Sequence, residues 1–586
     1  MKERLSRKQS DLRLAKGLIP YLGNKRRLLP RLESVFRRYE SGTGPTRFAD
    51  PFAGSGAVAR LACTRGYRVL AGDIEPYASI LTRAHICTGP EQADSLLEDL
   101  GGLHAAIEHL NRVGCEASVA AGRTGYISRH YAPALTHAPK IGRERLFYTA
   151  ENARFIDAVR DEICAIVSDA PEAQAMNMEA LVLAPLLLEA AVHVNTSGVF
   201  KAYHRGFGGN GRDALKRIMA PMRLEAPPLY AGVPGTVRCC DAVSLFRDIP
   251  AEADEFDIVY LDPPYNSHQY GSNYFMLNTI ALWDKPHVST STGPDGSLSE
   301  KAGIRDDWKR TRSAFCSSRS AAGALRELVR EIRSKVIVLS YNTEGVIPLP
   351  QLCDIMSEHG NLSVETVDYT QYRGGRQSAG RRNHTTEILL ISAREPSNAV
   401  TVCGTELASV PGPDGRERIE YAVRLRAFSR SRFVPERVLR VFGNRDAVHT
   451  VGLGRIQFRD GYRADIDATL EDLIQGSCDE LQSACSALES CQCMDHVEEL
   501  DVLLLFLRER PSGPGHRDRE LEQRYITLLR KLAHPRYVRH FNRYYAEFMR
   551  DESRKNRNRA ALKKLHVVAC ARMGDAITVA SPGEKT

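Results

Sequence analysis

The chain has 586 residues, of which 43% are hydrophobic and 26% are charged. These values are typical of a soluble globular protein of roughly two to four domains, and they exclude a fibrous, disordered or miniature one. There are 80 Lys and Arg against 72 Asp and Glu, and the resulting net charge of +8 suits a polyanionic partner without requiring one.

The sequence also bears on where the protein resides. The basic N-terminal stretch MKERLSRKQSDLRLAKG lacks the apolar segment of a secretory signal. The longest apolar stretch, 180–194, is interrupted by Pro185, Glu189 and His193, so no membrane span is predicted. The 14 cysteines are scattered, as is typical of reduced thiols. We therefore expect a cytoplasmic protein.

Strands and helices alternate at the start of the chain. The pattern predicts a strand over 46–50, a Gly-rich turn, a helix through Arg65 and a second strand over 68–72 that leads into Asp73. From about residue 80 to 225 the alternation stops, and long apolar runs at 153–167 and 178–194 predict a helical insert.

The alternation resumes after the insert. The later predicted elements are strands over 236–240, 256–261, 335–341, 362–369 and 386–392, with helices around 274–282 and 350–359. Together with the first two strands they predict an open α/β sheet. Residues 398–416 are rich in Pro and Gly and predict a linker, and the chain beyond them reads as largely helical.

The first motif is DPFAGSG, Asp50 to Gly56, between a predicted strand and helix. Glycines there let the backbone approach a ligand, and the helix N-terminus lies behind it. Asp73 ends the next strand, where an acid commonly accepts hydrogen bonds from ribose hydroxyls. A turn without a ligand would explain the glycines alone, but the acid on the second strand favours a nucleoside-bearing cofactor.

The second motif is DPPY, Asp262 to Tyr265, directly after the apolar strand FDIVYL. Two prolines make the turn rigid at the carboxyl edge of the sheet. The Asp262 carboxylate and the Pro263 carbonyl can accept the hydrogens of an aromatic amine, and the Tyr265 ring can stack on a flipped base. The alternative is a turn that only ends the strand.

These motifs together resemble the Dam-like (D12 class) S-adenosylmethionine-dependent DNA adenine-N6 methyltransferases of restriction–modification type. YLGNK, Tyr21 to Lys25, is similar to the element that opens this family, with Asn24 replacing a glycine; Asn tolerates positive φ better than most residues. The resemblance covers about residues 18–395. It includes further similar stretches at 148–152, 194–198, 266–282, 313–317 and 338–345.

The resemblance implies a Rossmann-like α/β methyltransferase sheet with a helical target-recognition insert, to which we add a mostly helical C-terminal extension. The expected parts are a cofactor-binding first part (1–80), the insert (81–225), a catalytic second part (226–397), a linker (398–416) and an accessory domain of unknown role (417–586). The order of motifs is the one usually called class alpha.

The resemblance also implies the roles of individual residues. The catalytic set is Asp262, Pro263, Pro264 and Tyr265. The residues expected to bind S-adenosylmethionine are Tyr21, Lys25, Asp50, Phe52, Gly54, Gly56, Asp73, Asp241 and Asp262. The expected reaction is direct transfer of the sulfonium methyl to N6 of a flipped adenine in double-stranded DNA, with no covalent intermediate and no metal.

Contacts to DNA are expected from two places. Asn266, Tyr270 and Tyr274 follow the catalytic turn and could hold the flipped nucleotide, or could be structural. The loop 372–382 concentrates Arg373, Arg376, Arg381 and Arg382, which favours phosphate binding over a solvated hairpin.

Other interpretations stay open. A ribosomal RNA methylase also pairs an FAGSG-type turn with DPPY, and a DNA-binding subunit of a defence complex could keep a vestigial methylase fold. A cognate restriction endonuclease or a defence-system subunit is a possible partner. In the tail, four cysteines (478, 485, 491 and 493) and His496 lack the paired C-x-x-C spacing of zinc sites, which favours buried thiols. Residues 536–545 and 555–564 could form a second DNA surface, a solvated face or a partner-docking helix.

Overall fold

The structure is a computed structural model. It describes residues 17–369 with gaps at 22, 43, 123, 210–213, 251 and 343–344, and then 385–394, 399–402, 405–408, 482, 496–509 and 516–574. The chain divides into two compact units, one holding the described residues up to Ala408 and the other those from His496 onward.

One sheet organises the first unit. Its strands are β1 (Arg47–Asp50), β2 (Arg68–Asp73), β3 (Thr236–Cys239), β4 (Phe256–Leu261), β5 (Ser334–Asn342), β6 (Asn361–Tyr369), β7 (Thr385–Ala393), β8 (Ala399–Val402) and β9 (Thr405–Ala408). Their spatial order is β3-β2-β1-β4-β5-β7-β6-β8-β9. Strands β1 to β5 pair in parallel, whereas β7 runs antiparallel to β5. The sheet is Rossmann-like, as predicted.

The sheet order explains why two distant motifs meet. Strand β1 lies between β2 and β4, with Phe48 opposite Ile258 and Ala49 opposite Val259. The loops after β1 and β4, which carry DPFAGSG and DPPY, therefore leave the same edge of the sheet side by side. Ligands bind parallel α/β sheets at such an edge.

The predicted strands agree with the structure to within about two residues, and β4 matches at both ends. The range 398–416, expected to be a linker, instead begins with β8 and β9, which form an antiparallel pair. The sequence AVTV of β8 is rich in β-branched residues, which favour strands, and apart from Gly404 the Pro and Gly residues that suggested a linker start only at Pro411.

Helices cover both faces of the sheet and fill the insert. Those of the first unit are α1 (Leu29–Phe36), α2 (Ala57–Thr64), α3 (Pro76–Ile86), α4 (Pro90–Leu96), α5 (Leu103–Val119), α6 (Tyr126–His130), α7 (Ala150–Ser168), α8 (Glu172–His193), α9 (Leu215–Met219), α10 (Ala242–Arg247), α11 (Tyr270–Asn273), α12 (Phe275–Leu282), α13 (Ala321–Glu331) and α14 (Leu349–Ser357). The single helix predicted around 274–282 is two, because Tyr274 leaves the helical conformation at φ −117° and ψ 24°.

The insert shares its hydrophobic core with the catalytic part. Ile156 of α7 and Leu183 of α8 belong to the same buried cluster as Tyr77 of α3 and Phe275 of α12. The buried Arg160 of α7 also donates hydrogen bonds to the carbonyl oxygens of two residues at the end of α12, Ile280 and Ala281, at 2.9 and 3.1 Å. These bonds satisfy carbonyl groups that a helix end leaves free, so the insert is packed as part of the first unit.

Helix α8 accounts for the longest apolar stretch of the chain. Its segment Gln174–His193 is long and apolar enough, by length and composition alone, to cross a membrane. However, 56% of its most apolar window is buried within the protein, and its residues 180–187 belong largely to the core shared with α3 and α7. Packing inside the protein explains the apolar composition.

The described part of the second unit is helical, with α15 (His496–Glu509), α16 (His516–Leu532), α17 (Val538–Met549), α18 (Glu552–Arg557) and α19 (Arg559–Met573). The largest side chains of its core include Tyr525 and Tyr544. A buried carboxylate, Glu522 of α16, accepts from Arg557 Nη2 at 2.7 Å and from Asn558 Nδ2 at 2.6 Å. The C-terminal region is thus helical, as predicted.

We expect Glu522→Gln to destabilise the second unit by about 3 kcal/mol, because it leaves buried donors of α18 and its C-terminal end poorly paired. Hydrogen–deuterium exchange of the α16 amides measures this local loss. Glu552→Gln is the matched control, since Glu552 pairs on the surface with Lys555 at 3.0 Å, and surface pairs contribute less than about 1 kcal/mol. Equal effects of the two changes would contradict the prediction.

Candidate active site

A cleft of about 940 Å³ opens at the carboxyl ends of β1, β2 and β4. It is lined by residues from four segments, 21–25, 50–58, 73–75 and 260–270, together with Asp241, Ala242, Ser313 and Phe315. All of the expected catalytic residues and most of the expected cofactor-binding residues line this one cleft.

The glycine turn after β1 is held by the acid at the end of β2. Gly54 and Gly56 have φ of +52° and +76°, which glycine adopts at little cost. The Gly54 N–H donates to Asp73 Oδ2 at 2.8 Å, and the Glu75 N–H donates to Asp73 Oδ1 at 2.9 Å. Burial raises the pKa of Asp73 to about 6, although these backbone N–H groups act to lower it. A Cβ on Gly54 would lie 3.0 Å from the Tyr21 ring, so only glycine lets the turn and this ring approach each other so closely.

The YLGNK segment forms the wall opposite the glycine turn. Its left-handed residue is Gly23, at φ +80°, whereas Asn24 has φ −53° and caps a short 3₁₀ helix by accepting from the Arg26 N–H at 2.8 Å. Asn24 therefore acts as a cap and does not use the positive φ that its tolerance suggested. The Tyr21 ring lies 5.0 Å from the Tyr274 ring and 5.4 Å from the Tyr270 ring, between ring centroids.

Asp262 of DPPY, whose side chain is 19% exposed at the cleft, is part of a largely buried charge cluster. Its Oδ1 lies 3.0 Å from Lys25 Nζ, and the same Nζ donates to Glu387 of β7. Ser340 Oγ of β5 donates to Glu387 Oε1 at 2.8 Å. Burial raises the pKa of Asp262 to about 6, with Lys25 lowering it and Glu387 raising it. Burial would lower the pKa of Lys25, but Asp262 and Glu387 hold it well above its usual value.

Asp50 adds a third buried carboxyl at the cleft. It is 1% exposed, and its Oδ1 accepts from the Phe52 N–H at 3.3 Å. Burial, followed by the carboxylates of Asp262 and Asp73, raises the pKa of Asp50 well above its ordinary value.

The other expected cofactor residues lie at the rim. The exposed Asp241 caps α10 by accepting from the Val243 N–H at 2.9 Å, and Phe52 packs edge-on against Phe315 with ring centroids 5.1 Å apart.

The DPPY turn is fixed on its far side as well. The Tyr265 carbonyl accepts from the Val346 N–H at 2.9 Å. The Tyr265 ring packs edge-on against Tyr341 with centroids 6.4 Å apart, and Lys25 Nζ lies 5.9 Å from its centroid. Lys25 thus contacts both ends of the motif.

The expected DNA-binding residues divide into three groups. Asn266 accepts from the His268 N–H at 2.9 Å in an exposed turn, and Tyr270 lines the cleft. Tyr274 is fully buried, with 0% of its surface exposed, so in this arrangement its ring contacts Tyr21 and is not accessible to DNA. Arg373, Arg376, Arg381 and Arg382 lie outside the described residues.

Several contacts at the cleft were not predicted from the sequence. Gln269 and Ser313 form a reciprocal pair, in which Gln269 Nε2 donates to the Ser313 carbonyl and the Ser313 N–H donates to Gln269 Oε1. Glu75 accepts from Asn278 Nδ2 at 2.6 Å, and burial raises the pKa of Glu75 to about 7. The position of Glu75, two residues after Asp73, could have indicated its place, whereas nothing local to β7 points to Glu387.

Comparison with known proteins decides the family. A model of the D12 class N6 adenine-specific DNA methyltransferases matches residues 21–303. The type II methyltransferase M.NlaIII of Neisseria lactamica is 30% identical over 370 residues, which are 62% of this chain and 95% of that protein. The chain belongs to this family. Of its members, M.CviAII of Paramecium bursaria Chlorella virus 1 is 25% identical and 95% covered, and M.FokI of Planomicrobium okeanokoites is 26% identical and 51% covered. No solved structure matches.

Membership confirms the predicted activity, which is site-specific methylation of adenine N6 in DNA. It also decides against the ribosomal RNA methylase. The relatives match about 370 residues of this chain, so more than a third of its length lies beyond those matches. No group of three or more candidate metal ligands occurs within the described part of the chain, and the four tail cysteines lie outside it.

We expect Lys25→Met to destabilise the first unit by about 3 kcal/mol at pH 8, because two buried carboxylates would face each other without a cation. The loss should shrink as the pH falls from 8 toward 6, because Lys25 lowers the pKa of Asp262 in the wild type, so that without it the carboxyl is protonated already above pH 6 and the uncompensated charge is removed. Thermal unfolding at pH 8 and pH 5.5 measures both effects. In the control Lys335→Met the cation pairs with Asp257 at 2.7 Å but is 56% exposed, and a small loss without this pH dependence is expected. A pH-independent loss in Lys25→Met would contradict the charge-cluster explanation.

Proposed function

We propose that this methyltransferase binds S-adenosylmethionine in the cleft and transfers its methyl group to N6 of an adenine flipped out of double-stranded DNA. The proposal rests on two features that line the same cleft. One is the glycine turn, whose Gly54 N–H donates to Asp73, and the other is Asp262, which pairs with Lys25. The first suits a nucleoside with its backbone close by, and the second suits an exocyclic amine.

The cleft fits the cofactor in charge and in shape. S-adenosylmethionine carries a sulfonium and an ammonium, and the carboxyl groups of Asp50, Asp73 and Asp262 all face this region. Because Lys25 is shared with Glu387, it does not cancel their combined field, which favours a cationic ligand. Gly54 leaves the space beside Tyr21 that a Cβ would fill. Tyr21, Phe52, Gly54, Gly56 and Asp73 would hold the nucleoside, with Asp241 at the rim.

The residues of DPPY would act on the adenine. When bound, S-adenosylmethionine supplies a methyl group that is already activated for transfer. Asp262 and the Pro263 carbonyl accept the two N6 hydrogens, which draws the nitrogen lone pair out of the ring, and Tyr265 stacks on the base. One N6 proton would pass to Asp262 and then to solvent as the methyl group moves to N6 from the sulfonium sulfur, which would keep the electron pair of the broken S–CH₃ bond. Pro264 keeps the turn rigid, and Lys25 keeps the Asp262 carboxylate oriented and ionised.

The roles near the motif follow from exposure. Tyr270 lines the cleft and would contact the flipped nucleotide, and Asn266, in the exposed turn after DPPY, would contact the DNA beside it. Tyr274 supports Tyr21 by stacking on it from the core. The arginines of the loop 372–382 keep their proposed role in binding phosphate.

We place this activity in a restriction–modification setting in the cytoplasm, with a cognate restriction endonuclease or defence-system subunit as partner. The support is the naming of the relatives as type II methyltransferases and modification methylases. Methylation of plasmid DNA by the purified protein, read by single-molecule sequencing, tests the function and gives the recognition sequence.

Asp262→Ala is expected to lower the rate of methyl transfer at least about 1,000-fold, because an acceptor for N6–H is lost. The fold should survive, since Lys25 keeps its bond to Glu387. Transfer of a labelled methyl to plasmid DNA measures the rate, while thermal unfolding and DNA binding serve as controls. Activity near that of the wild type would refute the assigned role.

The rate of methyl transfer should fall as the pH decreases through about 6, because Asp262 must be ionised to accept a hydrogen and its pKa is about 6. Glu387→Gln should move this acidic limb to lower pH, since Glu387 raises the pKa of Asp262. Single-turnover rates from pH 5 to 8 measure the limb. Glu365→Gln is the control. Glu365 also pairs with cations distant in the sequence, Arg31 and Arg38, but it is not among the residues lining the cleft. The acidic limb of the Glu365→Gln rate profile should therefore not move. A shift of the Glu387→Gln limb to higher pH would exclude this coupling.

A further inference from the structure

The net positive charge of the protein is concentrated in the second unit. Residues 516–574 contain 16 Lys and Arg against 6 Asp and Glu, an excess of 10 that is larger than the net charge of +8 of the whole chain. A charge excess of this density costs folding energy through self-repulsion, so it needs an explanation other than solubility.

The cations are arranged on the outer faces of α17 and α19, which we call the basic helix pair. On α17, Arg539, Arg543 and Arg550 repeat at intervals of four and seven residues and are exposed, which places them on one side of the helix. The opposite side carries buried aromatic rings, including Phe541 and Tyr544. The two helices are neighbours, since the rings of Tyr545 and His566 lie 6.1 Å apart.

On α19 the exposed cations include Arg559, Lys563 and Lys564. These three and Arg539 pair with no carboxylate among the described residues. The acids of this region are already engaged, for example Glu547 with Arg508 at 2.6 Å and Glu552 with Lys555 at 3.0 Å. The basic helix pair therefore has a positive charge that the described part of the unit leaves unneutralised.

We propose that the basic helix pair binds the phosphate backbone of duplex DNA without reading its sequence. From Arg539 to Arg550 the helix rises about 16 Å, a length over which duplex DNA carries on the order of ten phosphates. Among the described side chains of this unit, no Phe or Tyr ring is exposed and the exposed ring is the imidazole of His540, whereas binding to single strands relies chiefly on exposed aromatic rings that stack on bases. The chemistry thus favours a duplex over single-stranded RNA or DNA.

This surface would act on affinity and leave recognition to the first unit. The methyltransferase substrate is DNA, so a second DNA-binding surface on the same chain increases the local concentration of substrate around the enzyme. Phosphate contacts position a protein on DNA but carry no sequence information. The inference goes beyond the proposed function, because it concerns a unit that the cleft does not use.

The test is a fourfold variant of the full-length protein, Arg539→Gln, Arg559→Gln, Lys563→Gln and Lys564→Gln. Binding to a labelled 30-base-pair duplex without a methylation site is measured by fluorescence anisotropy over a range of KCl concentrations. Each lost phosphate contact should flatten the slope of log affinity against log salt by about 0.9, so a flattening of about 2 to 4 is expected. The kcat at saturating DNA should stay unchanged.

The matched control removes four exposed cations that do have carboxylate partners, Arg247, Arg326, Arg330 and Arg394, each changed to Gln. It lowers the net charge equally and should change the slope much less. An unchanged slope in the first variant, or an equal flattening in the control, would overturn the proposal. So would displacement of the duplex by single-stranded RNA of equal length at a lower concentration than by unlabelled duplex.

Two further measurements keep the outcomes separate. If the fourfold variant does not fold, the double variant Lys563→Gln and Lys564→Gln carries the same prediction with a flattening of about 1 to 2. Asp262→Ala should keep the full salt dependence, so an error in the assigned catalytic residue is distinguishable from an error in the DNA surface.

Discussion

The ammonium group of Lys25 holds three separate parts of the first unit together. It comes from the segment before β1, contacts Asp262 in the turn after β4, and donates to Glu387 on β7. A buried ammonium is stable only with charged partners, and each of these carboxylates is stable here only with the ammonium. The position of Asp262 is therefore set by a strand at the far side of β5 as much as by its own rigid turn. Electrostatic catalysis depends on acceptors that are in place before the substrate arrives, and in the proposed mechanism this cluster would supply that order.

Around this cluster, the insert and the part of the chain that carries DPPY share a common core. The buried Arg160 of the insert helix α7 donates hydrogen bonds to carbonyl groups of α12. Helix α12 follows the DPPY segment and α11 in the chain. The same core contains Tyr274, on which Tyr21 of the cleft stacks. A shift of the insert would therefore move the aromatic side chains that line the cleft. Packed cores transmit such shifts because they are dense and not easily compressed.

The features that the sequence allowed us to predict are those encoded locally. The strand Phe256–Leu261 is a continuous apolar run that ends at two prolines, and the glycines of DPFAGSG demand a turn, so both were found with their motifs. Glu387 was missed because its contact with Lys25, 362 positions earlier in the chain, forms only once β7 pairs with β5. Tyr274 was expected at the DNA because it follows the motif, yet a break between α11 and α12 turns it into the core. β8 and β9 were hidden by the Pro and Gly residues that follow them.

The pair of Lys25 and Glu387 has a consequence for the synthesis of the protein. The two residues are 362 positions apart, and at about 5 to 20 residues per second Glu387 leaves the ribosome on the order of a minute or less after Lys25. Until then a nascent chain already contains the glycine turn, the DPPY motif and the whole insert, but its lysine lacks the second carboxylate. The enzyme is thus completed late in translation, so a truncated chain that ends before β7 would carry both catalytic motifs without the buried charge cluster that orders them.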